Sequence, residues 1–227
     1  MTTVYSGDRI SLFVDVDDRL WICGTDIFHH NASLVNKPSV VEGLPPLQSV
    51  SAFGLFLLLD VEGYVWQVQG GVQTKLENLP KIKSISTGHA HGLLLDVNNQ
   101  VWGMGENSHG QLGFKGKNDY QQHLPTKVED IPSIGSICAS FNHSLLLDVE
   151  GRVWGSGSNG DCRLGMNPSL TTIVTPKQLD IDIPIQSLSS GWIHSLFIDV
   201  NNTLHTCGGN QTLQQGLENI TKVEKVT

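Results

Sequence analysis

Three histidines recur at one spacing along this chain of 227 residues, and imidazoles repeated in this way could hold a metal ion or an anion. His91, His143 and His194 each lie five residues before an aspartate. No cysteine or carboxylate completes a ligand set around them, and two further copies of the pattern carry Ile10 and Leu55 at the same position. We therefore interpret the histidines as structural residues that pack and hydrogen-bond within their own sheet.

Five repeated aspartates resemble, at first sight, a ring of carboxylates for acid and base catalysis. They are Asp15, Asp60, Asp96, Asp148 and Asp199. Each precedes a short turn, where aspartate is favoured because its carboxylate accepts hydrogen bonds from nearby backbone. We therefore predict a structural role for them.

The glycine-rich stretch 155–160 resembles a phosphate-binding loop, but the pattern lacks two features of such loops. It follows a strand without opening a helix, and no Gly-Lys-Ser/Thr sequence ends it. No serine, histidine and aspartate set stands out from the repeats either. The sequence therefore predicts no catalytic residue, no cofactor, no metal and no enzymatic activity of its own.

The chemistry-bearing residues belong to a repeated unit. Six residues after the aspartates come Trp21, Trp66, Trp102, Trp154 and, in the last copy, His205. Successive aspartates are 45, 36, 52 and 51 residues apart, which is in or near the range of a four-stranded propeller blade. An apolar run precedes each aspartate, which is typical of a strand covered on both faces. The tryptophans are expected to fill the layer between sheets.

Each copy predicts a β-hairpin, because its turn residues tolerate the positive φ angles of tight turns. The turn pairs are Asp17-Asp18, Glu62-Gly63, Asn98-Asn99, Glu150-Gly151 and Asn201-Asn202. The predicted fold is an all-β propeller of about five four-stranded blades in one domain, residues 1–227. Val4 and Val223 fall in phase with the innermost strands, so we expect the N- and C-terminal strands to pair and close the ring. An incomplete arc, or a piece of a larger propeller, is the alternative.

The best copies resemble the regulator of chromosome condensation repeat proteins. The matching stretches are 88–96, 101–113 and 143–165. The resemblance implies a β-propeller; the best known members have seven blades and catalyse nucleotide exchange on a small GTPase, and others are interaction platforms. That exchange factor also uses a protruding β-wedge and a basic tail, and this chain has neither a long insertion nor a Lys/Arg-rich terminus.

Net charge and hydropathy limit the classes of partner and the cellular compartments that we expect. A formal charge of −8 opposes binding to phosphate backbones, so no direct nucleic-acid partner is expected. The chain has no apolar stretch long enough to cross a bilayer and no signal-peptide core at its start, so we expect a monomeric intracellular protein of the cytoplasm or nucleus. Cys23 and Cys207 share a repeat position; a buried slot for a small side chain is favoured over a disulfide or redox pair.

The loops that differ between copies are the predicted partner-binding sites, since binding residues concentrate on loops. The candidate residues are Phe114, Lys115, Lys117, Asp119, Tyr120 and Trp192. We expect a protein-binding propeller. The alternatives are a guanine-nucleotide exchange factor for a Ran-like or other small GTPase and a small-ligand site in the central channel.

Overall fold

The structure, a computed structural model, describes residues 3–7, 10–25, 34–115, 121–209 and 220–225. These residues form five antiparallel sheets of four strands each, and every sheet is built from consecutive strands. Blade 1 comprises β1 (Thr3–Gly7), β2 (Ile10–Val14), β3 (Leu20–Thr25) and β4 (Leu34–Val40). Blade 2 comprises β5 (Leu47–Ala52), β6 (Phe56–Asp60), β7 (Val65–Gln69) and β8 (Val72–Lys75). Blade 3 comprises β9 (Ile82–Thr87), β10 (His91–Asp96), β11 (Val101–Glu106) and β12 (Gln121–Lys127).

The last two blades repeat this arrangement. Blade 4 comprises β13 (Ile134–Ala139), β14 (His143–Asp148), β15 (Val153–Ser158) and β16 (Thr172–Gln178). Blade 5 comprises β17 (Ile185–Ser190), β18 (His194–Asp199), β19 (Leu204–Gly208) and β20 (Ile220–Lys225). The first strand of each blade contacts the first strand of the next, so β1, β5, β9, β13 and β17 gather at the centre. The prediction of a propeller of four-stranded blades is confirmed.

The predicted hairpins join the second and third strands of every blade. The second residue of each turn has the positive φ angle that asparagine, aspartate and glycine tolerate. These residues are Asp18 (59°), Gly63 (83°), Asn99 (63°), Gly151 (85°) and Asn202 (62°). The residue types at these turns therefore fix the register of each hairpin. The register in turn decides which apolar residues face the layers between blades.

The apolar runs are continuous because each second strand is covered on both faces. Leu94 faces blade 2, whereas Leu93 and Leu95 face blade 4, and all three are at most 1% exposed. Burying a leucine in this way contributes about 1.5–3 kcal/mol. Inter-blade packing, rather than hydrogen bonding within one sheet, is therefore the main favourable contribution from these side chains.

The predicted closure of the ring is not confirmed. The N-terminal strand β1 pairs with β2, and the C-terminal strand β20 pairs with β19 as the outermost strand of blade 5. In the described part of the chain, four apolar cores join blades 1–2, 2–3, 3–4 and 4–5, and none joins blade 5 to blade 1. A closed ring of five blades needs five such cores. The repeat phase of Val223 predicted an innermost strand, whereas Val223 lies in β20, the outermost strand of blade 5.

Candidate functional site

The repeated aspartates close their own hairpins. In blade 3, Asp96 Oδ1 accepts hydrogen bonds from the backbone N–H groups of Asn98 (2.8 Å) and Gln100 (2.9 Å), and Oδ2 accepts one from Trp102 Nε1 (3.1 Å). The corresponding tryptophan bonds are Trp21 to Asp15 (2.8 Å), Trp66 to Asp60 (3.0 Å) and Trp154 to Asp148 (3.1 Å). The carboxylates are therefore committed to turn stabilisation, as predicted, and do not form a catalytic ring.

The last copy preserves this arrangement with a different residue. His205 Nε2 lies 2.8 Å from Asp199 Oδ2, and this hydrogen bond lowers the pKa of the Asp199 carboxyl. The indole rings of Trp66, Trp102 and Trp154 are half-buried beside the layers that join their blades to the preceding ones. These three tryptophans therefore border the layers between blades.

The repeated histidines link neighbouring blades rather than residues of one sheet, which corrects that part of the prediction. His91 Nε2 lies 2.9 Å from Ser144 Oγ on blade 4, and Ser144 Oγ donates to the carbonyl of Gln111 at 2.7 Å. A hydroxyl carries one proton, so His91 Nε2 must be the donor to Ser144. Burial lowers the pKa of His91 to about 3, so the ring is neutral at pH 7 and carries its proton on Nε2.

The next junction repeats this bond. His143 Nε2 donates to Ser195 Oγ at 3.1 Å, and Ser195 Oγ donates to the carbonyl of Arg163 at 2.6 Å. Burial holds the pKa of His143 well below its usual range. Among the described residues, no group of three His, Cys, Asp or Glu side chains could hold a metal ion. The histidines therefore act as inter-blade hydrogen-bond donors.

The glycine-rich loops after the third strands are held by asparagine side chains. Asn107 Oδ1 accepts the backbone N–H of Leu112 at 3.0 Å, and its Nδ2 donates to the carbonyl of Phe114 at 2.8 Å. Asn159 Oδ1 accepts the N–H of Leu164 in the same way at 3.1 Å. These loops satisfy their backbone groups internally instead of presenting them to a phosphate.

The strand order separates the connections into two sides of the propeller. The aspartate turns and the links between blades lie on one side, which we call the turn side. The opposite loop side carries the connections between first and second strands and those between third and fourth strands. Its segments include 53–55, 88–90, 140–142, 191–193 and 159–171. The predicted loop after Phe114 and the predicted Trp192 therefore share one side.

Aromatic side chains occupy equivalent positions on the loop side, seven residues before the turn aspartates of blades 2 to 5. They are Phe53, His89, Phe141 and Trp192, which we call the aromatic row. Ring centroids are 4.5 Å apart for His89 and Phe141 and 4.7 Å apart for Phe141 and Trp192. Trp192 is 62% exposed and Phe53 is 41% exposed. Four consecutive blades thus present an accessible aromatic edge.

The predicted site residues fall into three groups. Trp192 is exposed in the aromatic row, and Lys115 is exposed on the same side. Phe114 is half-buried against the core between blades 3 and 4, so its ring is directed to packing. Lys117, Asp119 and Tyr120 lie outside the described residues.

Sequence reasoning did not assemble the aromatic row. Of the four residues, it named only Trp192 as a candidate for partner binding. The signal was present in the constant offset of seven residues from the turn aspartates of blades 2 to 5. Only the stacking of blades turns positions 36 to 52 residues apart into neighbours.

The turn side is strongly acidic. Its exposed carboxylates are those of Asp17, Asp18, Glu42, Glu62, Glu77, Glu129, Asp130, Glu150, Asp180 and Asp182. Basic groups on that side include Arg19 and Arg152, which pair with neighbouring aspartates and glutamates. Among the described residues, the exposed negative charge is therefore concentrated away from the aromatic row.

The four cysteines are free. Cys207 is fully buried in the core between blades 4 and 5, and burial raises the pKa of its thiol. Cys23, at the equivalent position in blade 1, is half-buried, and its thiol contacts the carbonyl of Val35 at 3.5 Å. The predicted slot for a small side chain is confirmed at Cys207. Within the described ranges, no helix is long and apolar enough to span a membrane.

Comparisons with known proteins agree with the repeat pattern. Two models of the "Regulator of chromosome condensation (RCC1) repeat" match residues 82–111 and 98–147. The human regulator of chromosome condensation is 27% identical over 172 residues, covering 72% of this chain and 41% of that protein. A human probable E3 ubiquitin-protein ligase, HERC6, is 36% identical over 141 residues, covering 58% of this chain and 13% of that protein. The chain thus spans less than half the length of these relatives.

Solved structures show the same fold. A crystal structure of Kap60 bound to yeast RCC1 (Prp20) matches with a TM-score of 0.89 at 18% identity, covering 99% of this chain and 60% of that one. Prp20p of Saccharomyces cerevisiae, in a study of its binding to Gsp1p and histones, gives 0.90 at 18% identity, with coverages of 99% and 63%. The repeat models, the curated relatives and the fold agree: this chain carries RCC1-like repeats and has a fold like that of RCC1.

Proposed function

We propose that this chain is a non-enzymatic β-propeller, residues 1–227, that binds another protein inside the cell through the aromatic row. The carrying observation is the alignment of Phe53, His89, Phe141 and Trp192 along the loop side, with Trp192 62% exposed. Tryptophan and other aromatic residues are enriched among residues that dominate binding energy. The turn side offers carboxylates instead, and charged residues are depleted from interface cores.

Three rings of the row, those of His89, Phe141 and Trp192, contact one another in sequence. Phe141 is held between His89 and Trp192, so a partner would meet rings that neighbouring blades already position. Preorganised aromatic side chains lose little conformational entropy on binding. Lys115 is exposed on the same side of the propeller. The fitting partner surface is therefore apolar at its centre.

The test is quantitative crosslinking of the wild-type chain in cells, compared with Trp192→Ala and Phe53→Ala. We expect the yield of the crosslinked partner to fall at least tenfold in each variant, since loss of a central aromatic anchor costs about 2 kcal/mol or more of binding free energy. Val149→Ala is the matched control, because Val149 is 60% exposed on the turn side. A partner that is crosslinked equally well to the wild type and to both aromatic variants would contradict the proposal.

A second candidate is guanine-nucleotide exchange on a small GTPase. It is favoured by the similarity to the human regulator of chromosome condensation and to Prp20p, whose binding to Gsp1p its structural study names. An exchange factor needs no nucleophile of its own, because it only stabilises the nucleotide-poor GTPase. Release of fluorescent GDP from Ran-like and Rho-like GTPases, accelerated by sub-stoichiometric chain, would establish this activity. Unchanged release from all of them would leave protein binding alone.

A further inference from the structure

A small cavity on the turn side lies between the hairpin turn of blade 1 and the link from blade 1 to blade 2. It has a volume of about 130 Å³ and is lined by residues 17–20 and 40–46. Pockets for whole small molecules usually have volumes of about 300–1,000 Å³. This cavity therefore has room for one side chain of a partner rather than for a cofactor.

The lining of the cavity combines buried apolar side chains with exposed carboxylates. Leu20 and Val41 are 1% and 6% exposed, and valine, leucine and proline side chains of the link lie beside them. The exposed carboxylates of the lining are those of Asp17, Asp18 and Glu42.

The cation of the lining is already paired. Arg19 Nη2 lies 2.8 Å from Asp15 Oδ2 and 3.0 Å from Asp17 Oδ2. Within the described residues, no cationic group lies at ion-pair distance from Asp18 or Glu42. Two unpaired carboxylates thus stand beside apolar carbon, which suits a side chain with an apolar stem and a cationic head.

The link from blade 2 to blade 3 has the same geometry and provides a comparison. Residues 41–46 read Val-Glu-Gly-Leu-Pro-Pro, and residues 76–81 read Leu-Glu-Asn-Leu-Pro-Lys. The third residue of each link has a positive φ angle, 78° in the first and 60° in the second. The next residue after each link, Leu47 or Ile82, donates its N–H to the second turn residue at 2.8 or 2.9 Å. The two sites therefore correspond position by position.

In blade 2 this site holds lysines of the chain itself. The ammonium nitrogens of Lys75 and Lys81 lie 3.3 and 3.4 Å from the centroid of the Tyr64 ring. Lys81 Nζ also donates to the backbone carbonyl of Glu62, the first turn residue. Blade 1 has valine and proline at the two lysine positions, and neither residue brings a cation to the turn.

We propose that the cavity of blade 1 binds a lysine side chain of a partner polypeptide. The methylene stem packs on Leu20 and Val41, and the ammonium donates to the carboxylates of Asp18 and Glu42 and to the carbonyl of Asp17. The last of these bonds copies the one that blade 2 makes to its own turn. A compact ammonium suits this small site better than the planar fork of arginine. The cavity lies on the turn side, so this inference is independent of the aromatic row.

The probe is a blocked pentapeptide with one lysine between pairs of glycines, titrated into the isotope-labelled chain. Backbone amide NMR signals of Gly43 and Leu44 report on the cavity. We expect both signals to shift and to saturate. Peptides with norleucine or Nε-acetyl-lysine at the centre should produce no such shift, because they keep the stem and lose the charge. A norleucine peptide that binds equally well, or an arginine peptide that binds as tightly, overturns the proposal.

The first pair of variants separates the cavity from the overall charge. Asp18→Asn with Glu42→Gln should weaken the lysine peptide about tenfold, because two charge pairs to the ammonium are lost. Asp180→Asn with Asp182→Asn is the matched control, since it removes the same charge from exposed positions of the link between blades 4 and 5. The control should keep the wild-type affinity. Equal losses in both double variants overturn the proposal.

The second variant fills the cavity from within. Pro46→Lys gives the link of blade 1 the same ending as that of blade 2, so its own ammonium should compete with the peptide. We expect binding about tenfold weaker, because a tethered group has an effective concentration in the millimolar range. Pro184→Lys adds the same charge at the equivalent position of another link and should leave binding unchanged. Wild-type affinity in a folded Pro46→Lys chain overturns the proposal.

Discussion

Acidification from pH 7.5 to 5.5 should destabilise this protein through its buried inter-blade histidines. In the folded chain, burial lowers the pKa of His91 to about 3, whereas an unfolded histidine titrates near 6.5. The unfolded state therefore binds protons that the folded state excludes, so stability is complete above pH 6.5 and falls as pH decreases below it. At pH 5.5 the loss is about 1.4 kcal/mol for one such histidine.

His143 is fully buried in the same bond and has its pKa lowered well below its usual range, so the pair should lose about 3 kcal/mol. The turn carboxylate of Asp15 does not add to the loss of stability between pH 7.5 and pH 5.5. The pKa of Asp15 is lowered by the Trp21 hydrogen bond, so its contribution is present above pH 4 and is lost only at lower pH. The assay is urea unfolding followed by tryptophan fluorescence at pH 7.5, 6.5 and 5.5.

The deciding variant is His91→Leu, which copies the leucine of blade 2. It should cost about 1–2 kcal/mol at pH 7.5 through the lost bond to Ser144, yet lose only about 1.4 kcal/mol more on acidification. His123→Gln, at an exposed position of β12, should retain the full pH dependence. A His91→Leu chain with undiminished acid sensitivity would refute this account.

Three further predictions concern the hairpins and the cores. Trp154→Phe removes the donor to Asp148 and should lower the free energy of unfolding by about 1–3 kcal/mol, as measured by thermal unfolding. Gly105→Ala should cost more than about 2 kcal/mol, because φ is +97° and the added Cβ would lie 2.3 Å from a backbone carbonyl oxygen; Gly43→Ala, with φ +78° and open space, should cost about 1 kcal/mol. Cys207, which is fully buried, should react with Ellman's reagent only after unfolding.

Local patterns were sufficient to predict the hairpins. The residues that form the turns and the tryptophans that bond to the turn aspartates act within six positions along the chain. Their geometry is therefore encoded locally, and the structure confirms it in all five copies. A comparison by residue type sets His205 apart from the tryptophans. In the structure, its Nε2 lies 2.8 Å from Asp199 Oδ2 and takes the place of the indole N–H.

Sequence by itself determined the repeat, the strand alternation and the family resemblance of this protein, because each depends on short-range spacing. Only the tertiary structure decided how the repeats meet. The bond from His91 to Ser144 joins residues 53 positions apart, and the aromatic row exists only because blades stack. Ring closure depends on the angle between blades, which no local motif specifies. Among the described residues, the five blades share four apolar cores, and only the tertiary structure shows which blades each core joins.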